Sequence, residues 1–242
     1  MLNRQKHEII MRNLLKDFYK SPYLSTSLGF KGGTAAYFFY ELPRFSVDLD
    51  FDLLVENPKA ADFEKVREVV RDICGTYGQV VLSRVKNYTV FNLLRYEPNF
   101  QAVKIEISKR PKLSRYQPLS MLGISVNAVV KEDMFANKLV ALTSRRAPAS
   151  RDLFDINFFF SKLWDINEEI ITDRTGRGLR EYLGDAREYI VKNFNKVNIM
   201  AGLGEVLDKP DKDRIKDTLV GDTLFKIDSF LESRVSRFTN SP

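Results

Sequence analysis

The chain has 242 residues, 44% of them hydrophobic, enough for a sizeable core in one large domain or two small ones, which disfavours disorder and repeat architectures. A formal charge of +6 points to a polyanionic partner, with a basic surface that serves only solubility as the even alternative. With 1 Cys and 1 His, a disulfide framework and a Cys/His zinc site are excluded, so any metal would be a hard cation on oxygen ligands. No run reaches the ~18 apolar residues of a membrane span, and the first twenty residues carry charges at helical spacing rather than the uncharged core of a signal peptide. The expectation is a cytoplasmic protein with no membrane partner.

Residues 3–19 place Ile9, Ile10, Leu14, Leu15 and Phe18 at helical spacing, which predicts an opening amphipathic helix ended by Ser21-Pro22. Leu28–Phe30 reads as a short strand that passes through a Gly32-Gly33 turn into a buried helix from Thr34 to Leu42, stopped by Pro43. Residues 47–55 alternate, with Leu49, Phe51 and Leu53 on one face and Asp48, Asp50 and Asp52 on the other, the pattern of a half-buried strand. Pro58–Cys74 predicts a helix burying Phe63, Val66, Val70 and Ile73. Gln79–Val85, Thr89–Tyr96 and Ala102–Ser108 predict an antiparallel meander, and in its last strand Lys104, Glu106 and Ser108 share the polar face. A basic loop, Lys109–Tyr116, and a short strand near Ile124–Val126 complete the first half. From Lys131 the period becomes helical over 131–144, 151–164, 178–194 and 211–238, with breaks at Ala147-Pro148, Asn167, Asn195–Gly204 and Gly221. The predicted layout is an α/β domain over 1–130 followed by a helical domain over 131–242.

The chemistry concentrates on the acidic strand. Each i, i+2 step separates its carboxylates by about 6.5–7 Å, so their charges repel unless a cation sits among them. An Asp-x-Asp pair suits Mg²⁺, which binds carboxylate oxygens and completes its shell with water and substrate phosphates; the plain alternative is the polar face of an exposed edge strand. Glu106 becomes a third ligand if its strand pairs with the aspartate strand, giving a cradle for two metals, whereas a salt bridge to Lys104 or to a lysine opposite is the alternative. Gly32-Gly33-Thr34 can offer backbone N–H groups to a triphosphate at a helix N-terminus, or be an ordinary turn. Lys138 lies one turn from Met134 and Leu142 on a largely apolar helix, where an ammonium needs an anionic partner or must snorkel to solvent. Arg151 and Asp152 can equally be an N-terminal helix pair, with Asp155 a surface acid.

Phe30-Lys31-Gly32-Gly33-Thr34, followed by Arg44-Phe45-Ser46-Val47-Asp48-Leu49-Asp50-Phe51-Asp52, resembles the first motif of DNA polymerase β-type nucleotidyltransferases, and more narrowly the AbiEii group of abortive-infection and toxin–antitoxin enzymes. Asn137-Lys138-Leu139-Val140-Ala141-Leu142 with Arg145-Arg146, then Arg151-Asp152-Leu153-Phe154-Asp155-Ile156, is similar to that group's second signature, and 157–242 matches only as a helical region. The resemblance implies an α+β protein, with a mixed-sheet nucleotidyltransferase domain and a C-terminal helical domain closing over the nucleotide. It implies Asp48, Asp50, Lys138 and Asp152 as catalytic residues and Asp48, Asp50 and, least securely, Glu106 as ligands of Mg²⁺ or Mn²⁺. It puts nucleotide binding on Gly32, Gly33, Thr34, Ser46 and Lys138, leaving Asp52 outside the ligand set because strand twist carries it away from Asp48.

Basic residues gather at Lys109, Arg110, Lys112 and Arg115, at Arg145, Arg146 and Arg151, and at Arg174, Arg177 and Arg180, with Tyr88, Tyr96 and Tyr116 interleaved in the first half. Cations among aromatic faces suit single-stranded RNA ends, whereas each cluster taken alone reads as a solvated loop. The clusters therefore suggest an RNA 3′ end as acceptor, and the resemblance implies an NTP substrate, a tRNA or other RNA acceptor and a cognate antitoxin protein. By that resemblance the expected reaction moves a nucleoside monophosphate from an NTP to the acceptor, most plainly a tRNA 3′ end, and blocks translation. Transfer to a protein or small molecule, and a non-catalytic RNA- or partner-binding module of the same fold, are the alternatives.

Overall fold

The computed structural model of the protein describes residues 3–110 and 113–239. The chain divides into two compact units, residues 1–130 and 131–242. Among the described residues no helix is long and apolar enough to cross a membrane.

The first unit opens with α1 (Arg4–Lys20), capped by the Asn3 side chain, which accepts from the Lys6 backbone N–H. Ser21-Pro22 does end this helix, but the same two residues start another, α2 (Pro22–Ser27). Proline has no N–H to continue α1, yet its fixed φ suits the first position of a new helix, and the Ser21 hydroxyl accepts from Leu24 N. β1 (Leu28–Lys31) then runs directly into α3 (Gly32–Phe39), and β2 (Asp48–Leu53) and α4 (Ala60–Gly75) follow. In α4 the buried stripe is Val66, Val70 and Cys74; Phe63 and Ile73 are only partly covered. β3 (Gln79–Val85), β4 (Thr89–Arg95) and β5 (Val103–Ser108) form the expected antiparallel meander.

Where a loop and one strand were expected, the chain makes a hairpin of β6 (Tyr116–Met121) and β7 (Ile124–Val129). Its two-residue turn is Leu122-Gly123, both at positive φ, a turn that ordinarily recruits Asn or Gly at its first position. Pro118 sits in β6, which is tolerated because β6 is an edge strand.

Among the described residues the seven strands make one mixed sheet in the order β3-β4-β5-β2-β1-β7-β6. β2 runs antiparallel to β1 and parallel to β5, while β1 runs parallel to β7. One face is apolar throughout: Leu49 and Phe51 of β2, Val103, Ile105 and Ile107 of β5 and Phe30 of β1 are fully buried, with Met11, Leu14, Leu15 and Phe18 of α1. Phe51 packs edge-on to Phe18 at 5.9 Å and against Phe30 at 5.2 Å between centroids. Each such ring stabilises the fold by about 1.5–3 kcal/mol, so the period-two pattern fixes the register and turns Asp48, Asp50 and Glu106 to the opposite face.

The second unit is helical: α5 (Lys131–Ser144), α6 (Ser150–Ser161), α7 (Glu168–Thr175), α8 (Leu179–Asn193) and α9 (Lys209–Thr239). Asn167, expected as a break, is the N-cap of α7, its carbonyl oxygen accepting from Glu169 N and Ile170 N, and Gly176 ends that helix at φ 70°. Gly221 does not break α9: a helix interior tolerates glycine at about 1 kcal/mol, which packing offsets here. The core centres on Phe135, Phe159, Phe160 and Trp164, the last stacked on Phe159 at 4.4 Å.

Candidate active site

The start of β2 is held from two sides. The buried Thr34 hydroxyl donates to the Asp48 carbonyl. One residue earlier, His7 Nε2 donates to the Val47 carbonyl at 2.9 Å while Nδ1 accepts from the Tyr96 hydroxyl at 2.9 Å. The carbonyl partner dictates this tautomer, and burial holds the His7 pKa below its ordinary value, keeping the ring neutral.

Across the parallel β2/β5 pair Asp48 lies opposite Lys104 and Asp50 opposite Glu106, and across β1/β2 Asp50 lies opposite Lys31. The strand pairing that Glu106 required is present. The Gly32 backbone meets Asp50 so closely that a Cβ there would stand 2.6 Å from Asp50 Oδ2, and its φ of +78° also favours glycine. A Cβ on Gly33 would stand 2.8 Å from Arg44 Nη2 and 3.0 Å from Ser46 Oγ. Gly33, Thr34 and Ser46 are all buried, so these nucleotide-binding candidates form the packed floor beside the aspartates.

The electrostatics of the cluster centre on Lys104, which the sequence reading weighed only as a partner for Glu106. Its Nζ stands 3.1 Å from Asp48 Oδ2 and 3.8 Å from Glu106 Oε2. Burial works against the charged lysine, but Asp48, Glu106 and Asp50 outweigh it and hold its pKa above the ordinary lysine value. Asp50 is pushed up to about 6, first by burial and then by the charge of Asp48, with Lys104 and Lys31 opposing. Asp52 is spoken for: Lys31 Nζ lies 2.5 Å from Oδ1, and the Tyr116 hydroxyl donates to Oδ2 at 2.5 Å. Gly29 gives the Tyr116 ring room to reach it, since a Cβ there would stand 2.4 Å from that ring.

Among the described residues no three His, Cys, Asp or Glu side chains stand together ready to hold one metal ion. The donors do fit a hard cation held by Asp48 and Asp50, with water and substrate phosphates completing its shell, as is usual for Mg²⁺. Crowding of Asp48 against Asp50, whose carboxyl pKa is pushed up by burial and by that neighbouring charge, favours such a cation. Glu106 is brought opposite Asp50 but shares the ammonium of Lys104.

The second signature folds into one cluster on α5 and α6. Lys138 Nζ lies 2.7 Å from Asp152 Oδ1 and 2.9 Å from Asp155 Oδ2, and Arg145 Nε lies 2.5 Å from Asp152 Oδ2. Asp155 is fully buried, not a surface acid: it lies one turn beyond Asp152 on α6, and the ammonium draws both inward. Burial opposes ionisation of Asp152, but Lys138 and Arg145 together outweigh it and hold its carboxyl below the usual range. The lysine's anionic partners are thus Asp152 and Asp155. The pairing of Lys138 with an acid was readable from its apolar helix face; the inward turn of Asp155 was not.

The basic clusters divide. Tyr88 is exposed, with the Arg110 guanidinium 5.2 Å over its ring, whereas the Tyr96 and Tyr116 hydroxyls serve His7 and Asp52. Lys109 donates to the Lys86 carbonyl, and Lys112 lies outside the described residues. Arg177 pairs with Asp185 and Arg145 with Asp152, which leaves Arg146 and Arg151 as exposed cations of the second cluster.

A family model described as "Nucleotidyl transferase AbiEii toxin, Type IV TA system" matches residues 13–232. Two solved structures from Helicobacter pylori are similar over nearly the whole chain. One, described as a nucleotidyltransferase, shows 21% identity and a TM-score of 0.59, covering 98% of each chain. The other, JHP933, shows 22% identity and a TM-score of 0.60, covering 99% of this chain and 98% of its own. A nucleotidyltransferase-like antigen of Paracoccidioides brasiliensis shows 14% identity and a TM-score of 0.53, covering 86% of this chain and 96% of its own. At these identities the likeness bears on the fold. No curated protein is significantly similar in sequence.

Proposed function

The chain belongs to the AbiEii nucleotidyl transferase toxin family, and from that premise we propose that it transfers a nucleoside monophosphate from an NTP to an RNA acceptor, a tRNA 3′ end in the first instance. The observation that carries this reading is the β2/β5 register, which sets Asp48 and Asp50 on one face with Glu106 directly opposite Asp50. In this reading Asp48 and Asp50 hold Mg²⁺ or Mn²⁺, which when bound lowers the pKa of the acceptor hydroxyl and offsets charge on the leaving pyrophosphate.

The chain's own residues do the positioning. Gly32 lets α3 begin against Asp50, so the first N–H groups of α3 are the candidates to meet phosphate oxygens beside the carboxylates. Thr34 and His7 fix the backbone at Asp48 and Val47, which keeps the two carboxylates at a set spacing when a charged substrate arrives. The acceptor hydroxyl oxygen bonds the α-phosphorus as the bond from that phosphorus to pyrophosphate breaks, pyrophosphate leaves, and the hydroxyl proton passes to solvent. Lys138 is the proposed cation for phosphate charge, with Asp152 and Asp155 setting its position. Exposed Arg146, Arg151 and the Tyr88–Arg110 pair are proposed to meet the RNA, since cations and an open ring suit an unstacked strand. A cognate antitoxin is proposed as protein partner from the family's toxin–antitoxin character.

The test is incubation with Mg²⁺, total tRNA and each α-³²P-labelled NTP in turn, with Asp48→Ala as control. Label on tRNA that disappears in the variant supports the proposal and names the base. No label on tRNA with any of the four nucleotides overturns the tRNA assignment, and label on protein or on a small molecule replaces it with that acceptor.

A further inference from the structure

Lys104 is the register partner of Asp48, its ammonium 3.1 Å from Asp48 Oδ2 and 3.8 Å from Glu106 Oε2. The cluster thus sets three carboxylates, Asp48, Asp50 and Glu106, about the Lys104 ammonium, while Lys31 makes its direct ion pair with Asp52 and acts on Asp50 without contact. An ammonium at that distance from Asp48 faces any divalent cation on the same carboxylate across a few ångströms, and two positive charges so close repel strongly where water is only partly present. Its side chain is about one-third exposed, which leaves the four-carbon stem an outlet to solvent.

We propose that Lys104 is a positioning residue, an internal counter-ion that holds Asp48 and Glu106 together and sets the affinity of the acidic cluster for a divalent cation. The inference rests on the metal–nucleotide reading of Asp48 and Asp50 and adds to it. With the ammonium on Asp48, bare cation binds weakly. A cation that arrives with a triphosphate brings negative charge for the displaced ammonium to meet. The same ammonium gives Glu106, which stands opposite Asp50, a charge partner on its own strand, the lysine two residues before it.

The experiment is titration of the full-length protein with Mn²⁺ alone, read by electron paramagnetic resonance of the free ion, for wild type, Lys104→Met, Lys104→Arg and Asp48→Asn, with thermal unfolding of each variant recorded without metal. Lys104→Met is expected to bind Mn²⁺ about tenfold more tightly than wild type, the direction set by loss of a facing positive charge and the size reduced by solvent screening. Lys104→Arg keeps the charge and is expected to stay near wild type; Met keeps an aliphatic stem and loses only the charge, so tightening in Met but not in Arg is what a merely structural role for the stem would not produce. Asp48→Asn is expected to abolish the site. Wild-type binding with no tightening in Lys104→Met overturns the Lys104 inference alone, leaving the metal reading intact. Absence of saturable binding in wild type and Lys104→Met together, with both folded, overturns both.

Discussion

Replacing Lys138 by Met separates what the second cluster does for stability from what it does for chemistry. The ammonium sits 2.7 Å from Asp152 Oδ1 and 2.9 Å from Asp155 Oδ2, both acids buried, so its removal strips each of a close positive charge inside the helical unit. Breaking a buried ion pair by deleting one partner costs about 3–5 kcal/mol, and because Arg145 still reaches Asp152 the low end applies, about 3 kcal/mol. Urea unfolding followed by the fluorescence of Trp164 is a suitable assay, since it is the chain's 1 tryptophan and stacks on Phe159 inside that unit. Lys138→Met with Asp155→Asn is expected to recover most of the loss, because the charge that Lys138 neutralised is gone too. A loss below about 1 kcal/mol for Lys138→Met, the range of an exposed pair, would show that the ammonium does not hold a buried charge cluster together. Loss of transfer activity in Lys138→Met bears on phosphate binding only when compared with the repaired double variant.

Burial keeps His7 neutral in the folded state, so the unfolded chain takes up its proton first as pH falls; the contribution of His7 is complete above its ordinary value and declines below about pH 6.5. The stability advantage of wild type over His7→Gln is therefore expected to shrink from pH 7.5 to pH 5.5 in urea unfolding, and a constant advantage would contradict it. Asp50 acts with the opposite sign: its carboxyl is raised to about 6, so ionisation opposes folding above that range, and Asp50→Asn is expected to raise the urea midpoint at pH 8 without metal. Asn92 in β4 is fully buried with neither side-chain polar atom hydrogen-bonded, so Asn92→Leu is expected to stabilise by about 1–2 kcal/mol, and a loss of stability would show that the site cannot take the apolar shape. Gly32→Ala meets both a positive φ and Asp50 Oδ2, so it is expected to cost about 1–2 kcal/mol and most of the transfer activity; an active, fully stable variant would contradict the close approach.

The apolar alternation at Leu49, Phe51, Val103, Ile105 and Ile107 was strong enough to read both strands of the candidate site and the faces they turn. What it could not give was the partner of each strand: the parallel β2/β5 pairing joins segments separated by α4 and a two-strand excursion, and only the three-dimensional register puts Glu106 opposite Asp50. β6 escaped notice because Pro118 interrupts its alternation and because its turn uses Leu122 at positive φ in place of Asn. Ser21-Pro22 was read as a stop, and it is one that also starts a new helix, whereas α6 already ends at Ser161 and Asn167 only starts α7; the short α7 and α2 carry too few turns to show a period. Asp155 looked like a surface acid since its burial depends on the ammonium of Lys138 on a different helix. Lys104 was visible on the polar face beside Glu106, but its preference for Asp48 is set by the neighbouring strand.

Asp48 and Asp50, and not the adjacent Asp52, are proposed to carry nucleotidyl transfer. Single-turnover transfer of α-labelled nucleotide to tRNA, measured for Asp48→Asn, Asp50→Asn and Asp52→Asn after each is shown to fold, tests this directly. The first two are expected to lose at least about a hundredfold in rate, since each removes a carboxylate from the proposed metal–nucleotide site. Asp52→Asn, whose carboxylate serves Lys31 and Tyr116, is expected to stay within about tenfold of wild type, a loss of about 1.4 kcal/mol at most. Full activity in Asp48→Asn or Asp50→Asn, or a folded Asp52→Asn that is the least active of the three, would take the metal–nucleotide role away from Asp48 and Asp50.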